Sequence, residues 1–207
     1  MSIVKLSNNG VKNATAFGSI TGLGSMTFIK KLTASSSATL SFVDGSNGVV
    51  LDNSYKEYLF TFNNIHPETD NVAIQFNMST DGGSNYNVTK TSTFILAQHQ
   101  ESGSGQELEY TTAEHLAQST SFQSLIRTAL GNDADQSASG YLTLFNPSST
   151  TFVKHFIGNL NNVAAVDRSF HNLSAGYGNT TSAVDAIQFK MNTGNIDAGD
   201  ICLYGIA

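Results

Sequence analysis

Apolar and polar residues alternate with a period of two over most of this chain, and Gly, Asn, Asp and Ser interrupt the alternation at short intervals. Successive side chains of a strand point to opposite faces, so the rhythm predicts half-buried β-strands joined by tight turns. In Val72-Ala73-Ile74-Gln75-Phe76-Asn77-Met78 the residues Val72, Ile74, Phe76 and Met78 share one face, while Gln75 and Asn77 take the other. Ile187-Gln188-Phe189-Lys190-Met191-Asn192 repeats the arrangement, and Tyr58, Phe60 and Phe62 do the same within 57–62. Other runs are apolar on both faces: Phe94-Ile95-Leu96, Tyr141-Leu142-Thr143-Leu144-Phe145, residues 152–157 and Ile201-Cys202-Leu203-Tyr204-Gly205-Ile206. A strand of that kind either lies centrally in a sandwich or faces another subunit.

The punctuation is equally explicit. Asp81-Gly82-Gly83-Ser84-Asn85 separates the Val72 run from Tyr86-Asn87-Val88, and Asp44-Gly45-Ser46-Asn47-Gly48 separates Leu40-Ser41-Phe42-Val43 from Val49-Val50-Leu51. Both segments supply glycines for the positive backbone angles of tight hairpins. Helical signals are short: Thr111 followed by Glu114 reads as a capping box leading into His115-Leu116-Ala117, and 122–130 could carry another turn or a strand. About ten short strands with turn signals at regular spacing predict an all-β, antiparallel β-sandwich of jelly-roll type.

The first 35 residues break the pattern. Small polar stretches such as Gly22-Leu23-Gly24-Ser25 separate isolated apolar residues, among them Ile3, Leu6, Val11 and Phe17. Such a stretch cannot build a core, so the division expected is an extended docking arm over 1–35, anchored by those four residues, and a sandwich over 36–207.

Composition narrows the function. Charged residues make up only 13 % of 207 residues, with 10 basic and 16 acidic side chains giving a net charge of -6. That balance argues against nucleic-acid binding. No run is apolar and long enough to cross a membrane as a helix, and the start lacks a signal-peptide core, so a soluble chain made in the cytoplasm is expected. One cysteine, Cys202, excludes a disulfide framework.

Catalytic patterns are sparse. None of the five histidines has a partner at metal spacing, and no nucleophile elbow, phosphate loop or dinucleotide fingerprint occurs. Asp133 and Asp135 supply alternate oxygen donors, yet the loop lacks the Gly and distal Glu of a calcium-binding hand. No cofactor and no enzymatic activity are expected. Of the seven tyrosines, Tyr86, Tyr110 and Tyr177 are candidates for a shallow glycan-contacting surface, within contact loops expected at 81–86, 98–110 and 168–179.

Four segments carry a resemblance: Gly131-Asn132-Asp133-Ala134-Asp135-Gln136-Ser137, LFNPSSTTFVKHF at 144–156, AGYGNTTS at 175–182 and GNIDAGDICLYGI at 194–206. They resemble small virion structural proteins of marine tailed bacteriophages, including those infecting cyanobacteria, over the span from about Phe28 to the C-terminus. The closing segment is similar to the ends of phage tail and fibre jelly-roll domains. Leu6-Ser7-Asn8-Asn9-Gly10-Val11-Lys12 resembles the docking segments of other virion proteins. The resemblance implies a place on the virion exterior, with the arm gripping other virion proteins, and transfers no catalytic residue. The two-faced final strand predicts a homo-oligomer, a trimer by the usual symmetry of phage appendages, with Ile201, Leu203, Tyr204 and Ile206 at the interface. Tail or fibre attachment to a host-surface glycan is the first expectation, and capsid decoration the second.

Overall fold

The computed structural model describes residues 26–207, so the arm residues Ile3, Leu6, Val11 and Phe17 lie outside the described residues. Twelve strands follow in chain order: β1 (Met26–Thr33), β2 (Leu40–Val43), β3 (Glu57–Pro67), β4 (Ile74–Ser79), β5 (Lys90–Gln100), β6 (Glu107–Tyr110), β7 (Gln123–Ser124), β8 (Ala138–Phe145), β9 (Lys154–Ala164), β10 (Arg168–Gly178), β11 (Ala186–Met191) and β12 (Ile196–Ile206). Among the described residues there is no helix. An eight-stranded sheet runs β1-β12-β3-β8-β9-β10-β5-β6 and packs on a four-stranded sheet running β2-β11-β4-β7. Every pairing is antiparallel. The β-sandwich that the alternation predicts is the fold of the chain.

Pairing is nested. The outermost pair is β1 with β12, inside it β2 with β11, then β3 with β8, and innermost β4 with β7. The remaining strands β9, β10, β5 and β6 widen the larger sheet beyond β8.

The core forms where both sheets turn their apolar rows inward. Phe189 on β11 is its hub, with ring centroids 5.4 Å from Phe60, 5.2 Å from Phe62 and 6.2 Å from Phe42. Edge-to-face contacts of this kind add to the area term, and truncating such a ring to alanine costs about 3–5 kcal/mol. Under the added strands the filling changes. A small apolar cluster of Phe94, Leu96, Ala164 and Phe170 is joined by buried Asn162, Asn172 and Ser174. These face the irregular segment 111–130: the Asn172 amide accepts from the Arg127 backbone N–H at 2.9 Å and donates to Asn162 Oδ1 at 2.8 Å. Ser92 Oγ likewise accepts from the Leu116 N–H at 2.8 Å.

Several local expectations give way to side-chain capture of the backbone. Thr111 and Glu114 cap no helix, because the Glu114 carboxylate reaches forward to the Thr128 N–H at 3.0 Å and Ser119 exchanges backbone bonds with Lys90. Val49-Val50-Leu51 is not a strand, since Asp44 Oδ1 takes the Leu51 N–H at 2.8 Å and closes the loop on itself. Tyr86-Asn87-Val88 also lies outside the strands, with the Tyr86 carbonyl held by the Asn77 amide at 2.7 Å. The expected contact loop at 168–179 is the long strand β10, and the run begun at Phe152 becomes a strand only at Lys154. Residues 26–33, expected within the arm, belong to the sandwich instead, because they form β1 and pair with β12.

Candidate functional site

A strand's alternation gives the large sheet an inner and an outer face, and the outer face carries an unusual load. Ten large apolar side chains are exposed among the described residues, and only Phe152 and Val166 lie off that face. Tyr110, Ile95, Leu173, Asn159 and Tyr141 stand in register across β6, β5, β10, β9 and β8. Leu108 stands one step along the strands from that row, opposite Ala97, and Ile157 one step the other way, opposite Thr143. Phe28 pairs with Tyr204 and Met26 with Ile206 at the far edge. Over β8, β9, β10, β5 and β6 no outward-facing strand residue is Asp, Glu, Lys or Arg; the polar positions there are Thr, Ser, Asn and His. Charges return on β3, with Glu57 opposite Phe145, and towards β1, with Lys31 paired to Asp200 at 3.2 Å.

Two shallow grooves indent this face. One, of about 480 Å³, is lined by Thr91, Thr93, His155, Ile157, Ala175 and Tyr177, and the His155 and Tyr177 rings meet edge-on at 6.2 Å. The second, of about 390 Å³, lies between Leu59, Thr61 and Tyr141. Aromatic rings beside threonine hydroxyls and no charge suit a flat, neutral partner surface.

The tyrosines expected to act together are divided. Tyr110 is exposed at the end of β6 against His115, with ring centroids 5.5 Å apart, and Tyr177 is on β10 in the first groove; both belong to the outer face. Tyr86 is half-buried in the β4–β5 connection, its hydroxyl close over Gly83, and does not join them. The final strand is split by its alternation. Tyr204 and Ile206 are on the outer face, but Ile201 and Leu203 are fully buried in this chain's own core and have no surface to offer a neighbour. That corrects half of the expected interface, because a central strand is apolar on its inner side for packing within one subunit.

Asp133 and Asp135 gather no ligand set: among the described residues no group of three His, Cys, Asp or Glu side chains is placed to hold a metal ion. Asp133 is tied into its own turn, its carbonyl accepting from the Gln136 N–H at 2.8 Å and lying 3.3 Å from His66 Nε2. Asp135 lines a polar hollow of about 590 Å³ with His66 and Asp197, where His66 Nδ1 stands 3.4 Å from the Asp197 carboxylate.

Two buried lysines went unnoticed in the sequence. Lys90 and Lys154 flank Gly178 in register on the inner face, and both are fully buried. The Lys154 amine donates to the carbonyls of Ser149 and Phe152, each at 2.7 Å, and of Thr180 at 3.2 Å. Lys90 donates to Asn77 Oδ1 at 2.5 Å and Val88 O at 2.8 Å, with no carboxylate in contact, and burial pulls its pKa down to about 7. In sequence both lysines sit at strand starts, where a solvated end is the ordinary reading. The outer face itself was signalled by the two-faced runs around Ile95, Tyr141 and Ile157.

No protein-family model matches the chain, and neither the curated proteins nor the solved structures contain a match.

Proposed function

We propose that the chain is a non-enzymatic structural protein of a tailed-bacteriophage virion, exposed on the particle exterior in a tail or fibre. In this reading the segment before Met26 docks it to other virion proteins, and the sandwich is displayed as a homo-oligomer, a trimer in the first instance, for attachment to the host surface. The observation that carries it is the outer face of β8, β9, β10, β5 and β6, free of Asp, Glu, Lys and Arg and carrying six exposed large apolar side chains, a surface suited to binding. The resemblance to marine phage virion proteins supplies the setting. The nested pairing supports the finer reading that the sandwich is a jelly roll, β1-β12-β3-β8 over β2-β11-β4-β7, widened by four strands.

Host contact then falls to the turn at 81–86 and the β5–β6 hairpin tip, whose Ser, Gly, Asn and Gln side chains suit weak contacts with a surface glycan. Repeated copies raise such binding through effective concentration. Capsid decoration is the second reading, favoured by the breadth of the outer face, which would lie flat on a shell. Cryo-electron microscopy of the particle tests both. Tens of copies at the tail support attachment, hundreds over the capsid lattice support decoration, and absence from the particle refutes the virion role.

A further inference from the structure

We infer that the outer face of β8, β9, β10, β5 and β6 is the surface through which one copy of this chain binds a second. The inference rests on the reading that copies act together and names the surface that joins them; a face-to-face contact of one surface with itself joins copies in pairs, in place of the threefold arrangement of that reading. Its centre is the row in which Ile95 is 40 %, Leu173 38 %, Tyr141 42 % and Tyr110 51 % exposed, with Ile157 at 48 % beside it. Isolated exposed apolar residues are ordinary, but four of them in one register row, broken only by Asn159 of β9 and flanked by Ile157, are not.

Size fits a self-contact. Five strands about 4.8 Å apart and four outward rows about 6.7 Å apart cover roughly 650 Å² in projection. A stable interface hides about 800 Å² on each partner, and the uncharged positions Leu59, Thr61 and Asn63 of β3, next to Tyr141 of β8, bring the total close to that.

Charge selects the occupant. Any second copy carries the same net charge of -6, so two copies close with least repulsion where neither presents charge. This is the part of the large sheet that meets that condition. Its polar positions are largely satisfied within the chain, Asn159 Oδ1 with His171 Nε2 at 2.8 Å and Asn161 Nδ2 with the Phe170 carbonyl at 2.9 Å, so covering them strands few hydrogen-bonding groups. A basic or acidic partner would find no opposite charge to grip. Growth from the sheet edge is blunted, because β6 is four residues long, carries Glu107 and Glu109, and commits Glu109 to Arg127 at 2.8 Å. Copies therefore meet face to face, in the manner of sandwich layers about 10 Å apart.

Sedimentation of the full chain at micromolar concentration tests this. The parent chain is expected to sediment as a multimer. Leu173→Glu and, separately, Ile157→Glu place a carboxylate on the face and are expected to fall to the mass of one chain with unchanged circular dichroism. Val166→Glu, in the β9–β10 turn and 57 % exposed, is expected to leave the multimer intact. Either outward variant that stays folded suffices for the comparison. A parent chain that is monomeric, or folded face variants that remain multimeric, would overturn the inference. Particle imaging reads the virion role independently: a monomer found on virions removes the face contact alone, whereas a face-dependent multimer missing from particles removes the virion role alone.

Discussion

A lysine amine sealed away from water prefers to be neutral, and Lys90 shows what that preference does to the whole fold. Its ordinary pKa of 10.5 is drawn down to about 7 by burial, while the unfolded chain keeps the ordinary value. Between those two values the unfolded state holds a proton that the native state has given up. Stability attributable to this residue therefore rises as pH climbs from about 7 towards about 10.5, and below 7 the native state carries the full penalty of a charged, buried amine. Lys90→Met removes the titration and keeps most of the volume. Urea unfolding of parent and variant at pH 6.5 and pH 9.5 is expected to favour the variant more at the lower pH, the difference moving towards the parent as pH rises. An identical difference at both values would show that Lys90 is charged throughout.

Strands, by contrast, are defined by what covers each of their faces. Where the cover is the opposite sheet, alternation in sequence is clean, which is why β3, β4 and β11 were readable from Tyr58, Phe76 and Phe189 and their neighbours. Where the cover is the irregular segment 111–130, the inner residues are hydrogen-bonding ones, and β10 buries Asn172 and Ser174 in positions that apolar periodicity would fill with Leu or Val. Its inner row thus looked like a loop. The same substitution of polar for apolar cover hid the fate of Thr111 and Glu114, whose capping pattern is spent on tertiary bonds. Of the candidate site, the two-faced runs exposed Ile95, Tyr141 and Ile157. The division of Tyr86 from Tyr110 and Tyr177 depended on which strands come together, and no local pattern records that. If Asn172 is what fastens 111–130 to β10, Asn172→Ala strands the Arg127 N–H and should cost about 1–3 kcal/mol. Hydrogen exchange is expected to show faster exchange at Arg127 and Leu116 while the Phe189 core stays protected; uniform acceleration would mean the segment has no separate stability.

At the scale of the molecule, β1 at Met26 is the first described strand, and this sets where the expected arm is best cut. Removing residues 1–25 leaves all twelve described strands in place, so the product is expected to keep its far-ultraviolet spectrum and melting behaviour while failing to join particles. Removing 1–33 deletes β1, bares β12 and strips Phe28 from Tyr204, whose rings sit 5.6 Å apart, so this longer cut is expected to lower the melting temperature or prevent folding. A 1–25 deletion that unfolds the domain would show that the segment belongs to the sandwich. A deletion that still enters particles would move the docking role elsewhere.

The nested order of strands has an outcome for anyone who builds on this scaffold. Its outermost pair sets Met26 directly opposite Ile206, on neighbouring strands at one corner of the sheet. A short linker could join those two points, and the chain could be reopened at an exposed turn such as 81–86 without changing a single strand pairing. By the same geometry, a fluorescent reporter or an enzyme fused after Ile206 would emerge beside the segment that precedes Met26. Cargo meant to stand clear of that segment is better carried on the 100–106 hairpin tip, across the full width of the eight strands.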